Sequence, residues 1–307
     1  MAGPKNQHII PQCYLKQFVD PNTPANHEPY VWIFERGTRK GKRKAPKNIL
    51  TGTDFYTLKL RGGDKDYTLE KTLSQIESEY AAVFDKKIRN RIPLDDYEHV
   101  VLCVFIAAML QRTTKQKENI ENFIDQVIER IEELEKSHGI SPETSREWKQ
   151  GREDAHKISL IESIPRVTEI LTKMNVAFLC ATNENSFITS DAPCVMFNSQ
   201  LQWQRSYSPG LGQKHVELRM PLSPQVAVCF SWVNNVRGYL EIGKDRIHEI
   251  NRSTFAYSHE YFIARSPRVK RRWFRRFPLD PIFMWRFVVN KTKQRIADLK
   301  MRRKYHV

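Results

Sequence analysis

The period of the hydrophobic pattern changes twice along the chain and divides it into three regions. Residues 30–34 are rich in β-branched and aromatic side chains, and residues 55–60 alternate with period two, which favours strands. From 67 to 175 the apolar positions recur every three or four residues, as is typical of helices. The last region again predicts strands, over 176–181, 186–189, 216–220 and 226–232, then a helix over 244–257 and a strand over 261–264.

Strands, then helices, then strands predict an α+β fold rather than an alternating α/β fold. We expect an N-terminal β segment, a central long-helix block, and a C-terminal mixed or antiparallel β-sheet with a flanking helix. The predicted organisation is a single domain over 1–264, made of a strand region (1–66), a helical block (67–175) and a strand region (176–264). A basic C-terminal extension covers 265–307.

Within the helical block, Asp95 or Asp96 suits the N-cap of a helix that is apolar on nearly all faces from 100 to 110. The pattern then becomes amphipathic and predicts that this helix continues to about Lys136, or that it breaks near Thr113. Gly139 predicts its end.

No apolar run is long enough to cross a bilayer, and Met1–Lys5 does not begin a secretory signal, so we expect a cytoplasmic protein. The five cysteines are odd in number and contain no CxxC pair, which is typical of buried thiols in a reducing compartment. Cys194 is kept as the only candidate reactive thiol.

The surplus positive charge is concentrated in two segments. The chain carries a formal charge of +15, and residues 264–307 hold 15 Lys and Arg against two Asp. A second cluster, over 36–47, has seven cations and no acid. The candidate nucleic-acid-binding residues are Arg39, Lys40, Lys42, Arg43, Lys44, Lys270, Arg271, Arg272, Trp273, Arg275 and Arg276.

Basic clusters with interleaved aromatic residues suit a phosphodiester backbone, because cations release its counterions and flat side chains stack on unpaired bases. RNA or DNA is therefore the expected partner. Two alternatives stay open. The charge is solvated or pairs with the acidic segment 118–136 of the same chain, or it binds an acidic protein or a lipid surface.

Six short motifs occur in order along residues 8–264. They are His8-x-x-Pro-x-x-x-Leu-x-x-Phe18, Lys47-Asn-Ile followed by Phe55-Tyr56, Ile76-Glu77, Gln111-Arg112-Thr113, Thr189-Ser190-Asp191-x-Pro193, and Pro221-Leu-Ser-Pro224. Together they resemble the bacterial family catalogued as domain of unknown function 4238. The resemblance implies an architecture and candidate positions, but no reaction. The basic stretch after Ala264 lies beyond it.

Arg112 is the most informative of these positions, because a buried arginine needs a carboxylate or a phosphate as its partner. One interpretation is a structural bridge from Arg112 to Asp191 or to Glu77. The other is a catalytic cleft of His8, Glu77, Arg112 and Asp191, with Gln111 and Ser190 beside them.

In such a cleft Asp191 and Glu77 would hold Mg²⁺, His8 would transfer a proton and Arg112 would stabilise charge on a phosphate. The function predicted on that basis is a phosphodiesterase or nuclease of toxin or defence type. The alternative is a non-catalytic module that binds RNA, DNA or another acidic partner through its basic segments.

Overall fold

The computed structural model describes residues 6–60, 63–139, 141–182, 186–198, 209–233 and 237–274. The strands before the helical block are β1 (Asn6–His8), β2 (Val31–Glu35), β3 (Lys42–Lys44), β4 (Thr51–Thr53), β5 (Leu58–Lys59) and β6 (Lys65–Asp66). A short helix α1 (Gln12–Leu15) and the 3-10 turns Lys16–Phe18 and Pro46–Asn48 lie between them.

The helical block contains α2 (Thr68–Val83), α3 (Asp96–Gln111), α4 (Thr114–His138), α5 (Glu143–Gly151) and α6 (Ala155–Lys173). After it come β7 (Asn175–Ala181), β8 (Thr189–Ser190), β9 (Val195–Asn198), β10 (Val216–Pro221), β11 (Val226–Ser231) and β12 (Gly238–Ile242). The described chain ends with α7 (Lys244–Tyr257), β13 (Tyr261–Ala264) and a 3-10 turn, Arg271–Phe274.

The predicted α+β class is confirmed, and one sheet joins the two ends of the chain. In the described residues β12, β7, β11, β10 and β9 form a mixed five-stranded sheet, in which only β12 and β7 are parallel. A four-stranded sheet has the order β3-β2-β13-β8, so strands from the first region pair with strands from the last. This pairing places the early basic cluster next to the start of the C-terminal basic segment.

The five-stranded sheet separates two cores. On β7, Phe178 and Cys180 face the main core with α2, α3 and α6, whereas Leu179 and Ala181 face the other side with Ile247 of α7. This alternation is what the period-two side-chain direction of a strand requires. Helix α3 is buried on nearly all faces because it packs against both α2 and α6.

The break between α3 and α4 settles the alternative left open by the sequence. Arg112 ends α3, and the side chain of Thr113 caps α4 by accepting a hydrogen bond from the Gln116 amide. Asp95 and Glu98 form a reciprocal capping box at the start of α3, which confirms the predicted N-cap. Gly139 ends α4 in the left-handed conformation, at φ 65°.

Two predicted strands need correction. The strand expected over 186–189 is shifted and shortened to Thr189–Ser190, because only Thr189 and Ser190 pair with β13. The strand expected over 55–60 is reduced to β5, Leu58–Lys59, because residues 54–56 form a turn. Strands β9 and β12 were not predicted. No helix within the described ranges combines the length and apolar character that crossing a membrane requires.

Candidate functional site

Arg112 lies at the end of α3 and is almost completely buried, with 2% of its side chain exposed. Its guanidinium donates from Nη1 to Glu77 Oε1 at 2.7 Å, from Nη2 to the His8 carbonyl at 2.6 Å and from Nε to the Tyr56 hydroxyl at 3.1 Å. The guanidinium also lies 5.3 Å from the centroid of the Tyr56 ring. All three nitrogens are therefore engaged by the protein itself.

Three elements position these partners. Glu77 projects from α2, His8 ends β1, and Tyr56 follows β4, which pairs with β1 through His8 and Thr51. The Tyr56 hydroxyl lies 3.4 Å from the carbonyls of Ile9 and Arg112, and its ring is buried. The cluster thus ties the N-terminal strands to α2 and α3, and Glu77 is the carboxylate partner of Arg112.

Two polar atoms in this cluster are buried without a hydrogen-bond partner in the described structure, Nε2 of His8 and Oε2 of Glu70. Burial lowers the pKa of His8, although the Glu77 carboxylate and the Lys47 carbonyl oppose that effect. Burial and the nearby Glu77 raise the pKa of Glu70 to about 7. His8 therefore favours its neutral, basic form, whereas Glu70 keeps its proton up to about pH 7.

Glu70 was missed by the sequence reasoning. It precedes Glu77 by seven residues on α2, a spacing that places both carboxylates on one helix face two turns apart. That spacing could have identified it. Tyr56 lies in a motif that carried the resemblance, but nothing in the sequence showed that its hydroxyl would meet Arg112.

Asp191 lies in a different network from Glu77 and Arg112. Its Oδ1 accepts from the His259 amide at 2.8 Å, and its Oδ2 accepts from the amides of Glu260 and Tyr261 at 2.6 and 2.8 Å. Both oxygens are used to hold the turn between α7 and β13. Arg112 is not among its hydrogen-bond partners in the described chain.

Ser190, another member of the predicted cleft, is also engaged, because its Oγ accepts from the Ala192 amide. The backbone carbonyl of Gln111 lies 3.1 Å from Nε2 of His156. Among the described residues, no group of three or more His, Cys, Asp or Glu side chains is placed to hold a metal ion. Of the two carboxylates proposed for Mg²⁺, Glu77 pairs with Arg112 and Asp191 binds backbone amides.

Cys194 is buried against Ile106 and Met220. Burial raises the pKa of its thiol well above the ordinary value. A thiolate is the reactive form of cysteine, so this environment is that of an inert core thiol.

The two basic segments meet around the hairpin formed by β2 and β3. Arg43 is paired with Trp32 across the hairpin, and its guanidinium lies 5.1 Å from the Trp32 ring and 5.2 Å from the Tyr30 ring. Arg39 lies 5.6 Å from the ring of Phe274, in the C-terminal segment. We call the set Arg39, Lys40, Lys42, Arg43, Lys44, Arg268, Lys270 and Arg271 the hairpin surface.

Four carboxylates of the acidic helix are paired elsewhere, with Lys117 and Arg130 on the same helix and with Lys149 and Arg152. Glu118 lies 3.0 Å from Nε2 of His259, and Glu135 accepts from the Ser145 amide. In the hairpin surface, Lys42 pairs with Glu35, while Arg39, Lys40, Arg43, Lys44, Arg268 and Arg271 form no ion pair with any described carboxylate. These six cations are therefore not paired with α4.

Trp273 was predicted to bind nucleic acid, but its side chain is not accessible to a base. It is buried, with 4% exposed, and its Nε1 donates to Nδ1 of His248 on α7 at 2.9 Å. Arg272 pairs with Asp245. These two residues anchor the basic segment against α7, and Arg275 and Arg276 lie outside the described residues.

Residues 6–268 match the model of the family described as protein of unknown function, DUF4238. The match covers most of the chain and extends slightly beyond the range expected from the six motifs. The chain therefore belongs to this family. No curated protein matches the chain, and no solved structure matches it either.

Proposed function

We propose that this member of the DUF4238 family binds nucleic acid through the hairpin surface. The observation that carries the proposal is the group of six cations on that surface that lack a described carboxylate partner. Cations that are not neutralised by the protein are free to neutralise phosphates, and each such contact releases condensed counterions. Four carboxylates of the acidic helix α4, the alternative partner within the chain, pair with other cations.

A pocket on one face of the hairpin adds to this argument. It has a volume of about 260 Å³ and is lined by three lysines, by Glu35, which pairs with Lys42, by Tyr261 and by the aliphatic side chains of Ile33, Ile49 and Leu50; the other two lysines are Lys40 and Lys44. Lys42 and Lys44 lie two residues apart on a strand, so they share a face. Successive ammonium groups along one face suit successive phosphates of a strand.

A simpler explanation of these lysines competes with the proposal. β3 is the edge strand of its sheet, and lysines on an edge strand discourage pairing with other chains. That role needs no ligand. It also does not account for Arg39 and Arg268, which lie outside β3.

The test is direct binding to labelled single-stranded RNA and DNA across a range of salt concentrations. The variant Lys40→Ala/Lys44→Ala is expected to weaken binding. It should also reduce the magnitude of the slope of log K against log salt by roughly 1.4, because each of the two lost phosphate contacts contributes about 0.7. The matched control is Lys71→Ala/Lys86→Ala, which removes the same charge from exposed positions on α2 and on the π-helical turn Phe84–Ile88 that follows it. Equal losses in both variants would show a general charge effect and contradict the proposed surface.

Catalysis at the Arg112 cluster is the second candidate function. The observation that favours it is the pair of buried, unpartnered atoms of His8 and Glu70 beside the Glu77–Arg112 ion pair. A neutral imidazole and a protonated carboxyl with a pKa of about 7 are a suitable base and acid for cleaving a phosphodiester. Arg112 would act by holding Glu77 rather than by binding phosphate.

Cleavage is tested on the same labelled strands, with and without Mg²⁺. If the wild-type protein cuts the strands, and His8→Ala and Glu70→Gln bind them without cutting, the protein is an enzyme. If the wild-type protein retards the strands and leaves them intact, it is a non-catalytic binding module. If it neither binds nor cuts the strands at low salt, both functions are wrong.

A further inference from the structure

We propose that a pocket on the opposite face of the hairpin is a subsite for one unpaired nucleobase. This inference rests on the proposed function and specifies its ligand. The pocket has a volume of about 570 Å³, within the range of small-molecule sites. It is lined by Asp20, Asn22, Pro24, Tyr30, Trp32, Arg43, Ser266, Pro267 and Arg268.

Its wall is an aromatic and guanidinium platform. The rings of Tyr30 and Trp32 meet edge to face, with centroids 5.9 Å apart and an angle of 84°. The exposed Arg43 covers both rings, so its outer face and its edge point away from the protein core. A planar guanidinium stacks on bases as aromatic rings do, and its N–H groups remain available for a carbonyl or a phosphate.

The platform is held in place by Asp20, which is 5% exposed. Its Oδ2 accepts from the Trp32 indole at 2.7 Å, and its Oδ1 accepts from the amide and side chain of Asn22 at 2.9 and 3.1 Å. Both carboxylate oxygens are thus engaged without Arg43. This explains how an arginine and an aspartate line one pocket while the arginine has no described ion pair.

The pocket also collects the groups that a nucleotide would need around its base. Asn22 and Ser266 line the pocket, and Arg268 adds a charge suited to the adjoining phosphate. The Asn22 amide donates one hydrogen bond to Asp20 and the Ser266 Oγ accepts one from the Arg268 amide, which leaves the second amide hydrogen of Asn22 and the Ser266 hydroxyl hydrogen for base edges. In a duplex both faces of a base are stacked, so only an unpaired base can enter. The expected ligand is therefore a single strand with at least one base turned into the pocket.

The experiment compares two probes of equal charge, a single-stranded oligonucleotide of about 12 nucleotides and an abasic oligomer with the same backbone. Each is titrated into the full chain and into two charge-conserving variants, Arg43→Lys and Lys71→Arg. The first removes the planar group from the platform, and the second is the matched control at an exposed position on α2, outside the hairpin surface. Binding by polarisation and quenching of tryptophan fluorescence are the two measurements.

We expect the wild-type protein and Lys71→Arg to bind the base-bearing strand about tenfold more tightly than the abasic one. Arg43→Lys should lose most of this difference. Trp32→Phe should remove the quenching. If the wild-type protein binds both probes equally, the subsite is wrong and the proposed function stands, whereas failure to bind either probe at low salt overturns both.

Discussion

Arg112 and Glu77 are joined by a 2.7 Å ion pair that connects the end of α3 to the face of α2. The arginine is 2% exposed, but the carboxylate is 22% exposed, so the pair lies at the border of the core. The remaining donors of Arg112 reach the His8 carbonyl and the Tyr56 hydroxyl. The arginine that the sequence singled out is therefore a connector of three segments.

Arg112→Ala should destabilise the protein strongly. The substitution leaves Glu77 without its partner and removes the contacts to His8 and Tyr56, and breaking a buried ion pair costs about 3–5 kcal/mol. Urea unfolding measures the loss. The control is Arg130→Ala, which breaks the exposed Arg130–Glu133 pair and should cost less than about 1 kcal/mol. A fully stable Arg112→Ala protein would contradict the connector role.

Replacing Asp191 should destabilise the turn between α7 and β13. Asp191→Ala leaves the amides of His259, Glu260 and Tyr261, which are only partly buried, without their acceptor, and losing hydrogen bonds to a charged group costs about 1.5–3 kcal/mol. Asp191→Asn keeps the shape and one oxygen, so it should lose less than Asp191→Ala. Urea unfolding of both variants tests this order. If Asp191→Ala instead abolished cleavage of the labelled strands and left stability unchanged, Asp191 would belong to a catalytic site.

Glu70 should make the protein less stable as the pH rises from about 4.5 to 7. Its pKa is raised to about 7 in the folded state, so between these values the folded state binds more protons than the unfolded state. The free energy of unfolding therefore falls with rising pH, by about 1 kcal/mol for a half-buried, partly screened carboxyl.

Glu70→Gln removes this titration and should make the stability curve flatter in that window. At pH 8 the variant should be more stable than the wild-type protein. The comparison also separates the effect of Glu70 from that of His8. The pKa of His8 is lowered in the folded state, so the free energy of unfolding that depends on His8 falls as the pH drops below about 6.5. The part that depends on Glu70 falls as the pH rises. Parallel curves for the two proteins would mean that Glu70 is already ionised in this range.

The predicted elements were most accurate where local signals were strong. The bounds of α7 were predicted residue for residue, and Asp95, one of the two predicted N-caps, begins α3. β12 was missed because it is largely exposed and pairs in parallel with β7, so alternation was weak. The shared sheet of β2 and β13 could not be predicted, because no local pattern encodes a pairing across more than two hundred residues.

In the candidate site, too, contacts with a local sequence signal could be predicted and contacts between distant segments could not. The need of a buried arginine for a carboxylate predicted the pair with Glu77 as one of two alternatives. The network of Asp191 stayed hidden, because its partners are backbone amides, which every residue type carries. The meeting of the two basic segments depends on the register of β2, β3 and β13 and was visible only in the structure.

Gly41→Ala should disrupt the hairpin on which the proposed binding surface depends. A Cβ atom at Gly41 would lie 2.7 Å from the Phe34 ring, which is itself stacked on Phe262 at 4.7 Å and cannot move freely. We expect a loss of about 1–3 kcal/mol and weaker binding of single strands. Gly151→Ala, which enters open space at the end of α5, is the control and should cost nothing. Unchanged stability and binding in Gly41→Ala would show that the hairpin tolerates a shifted Phe34.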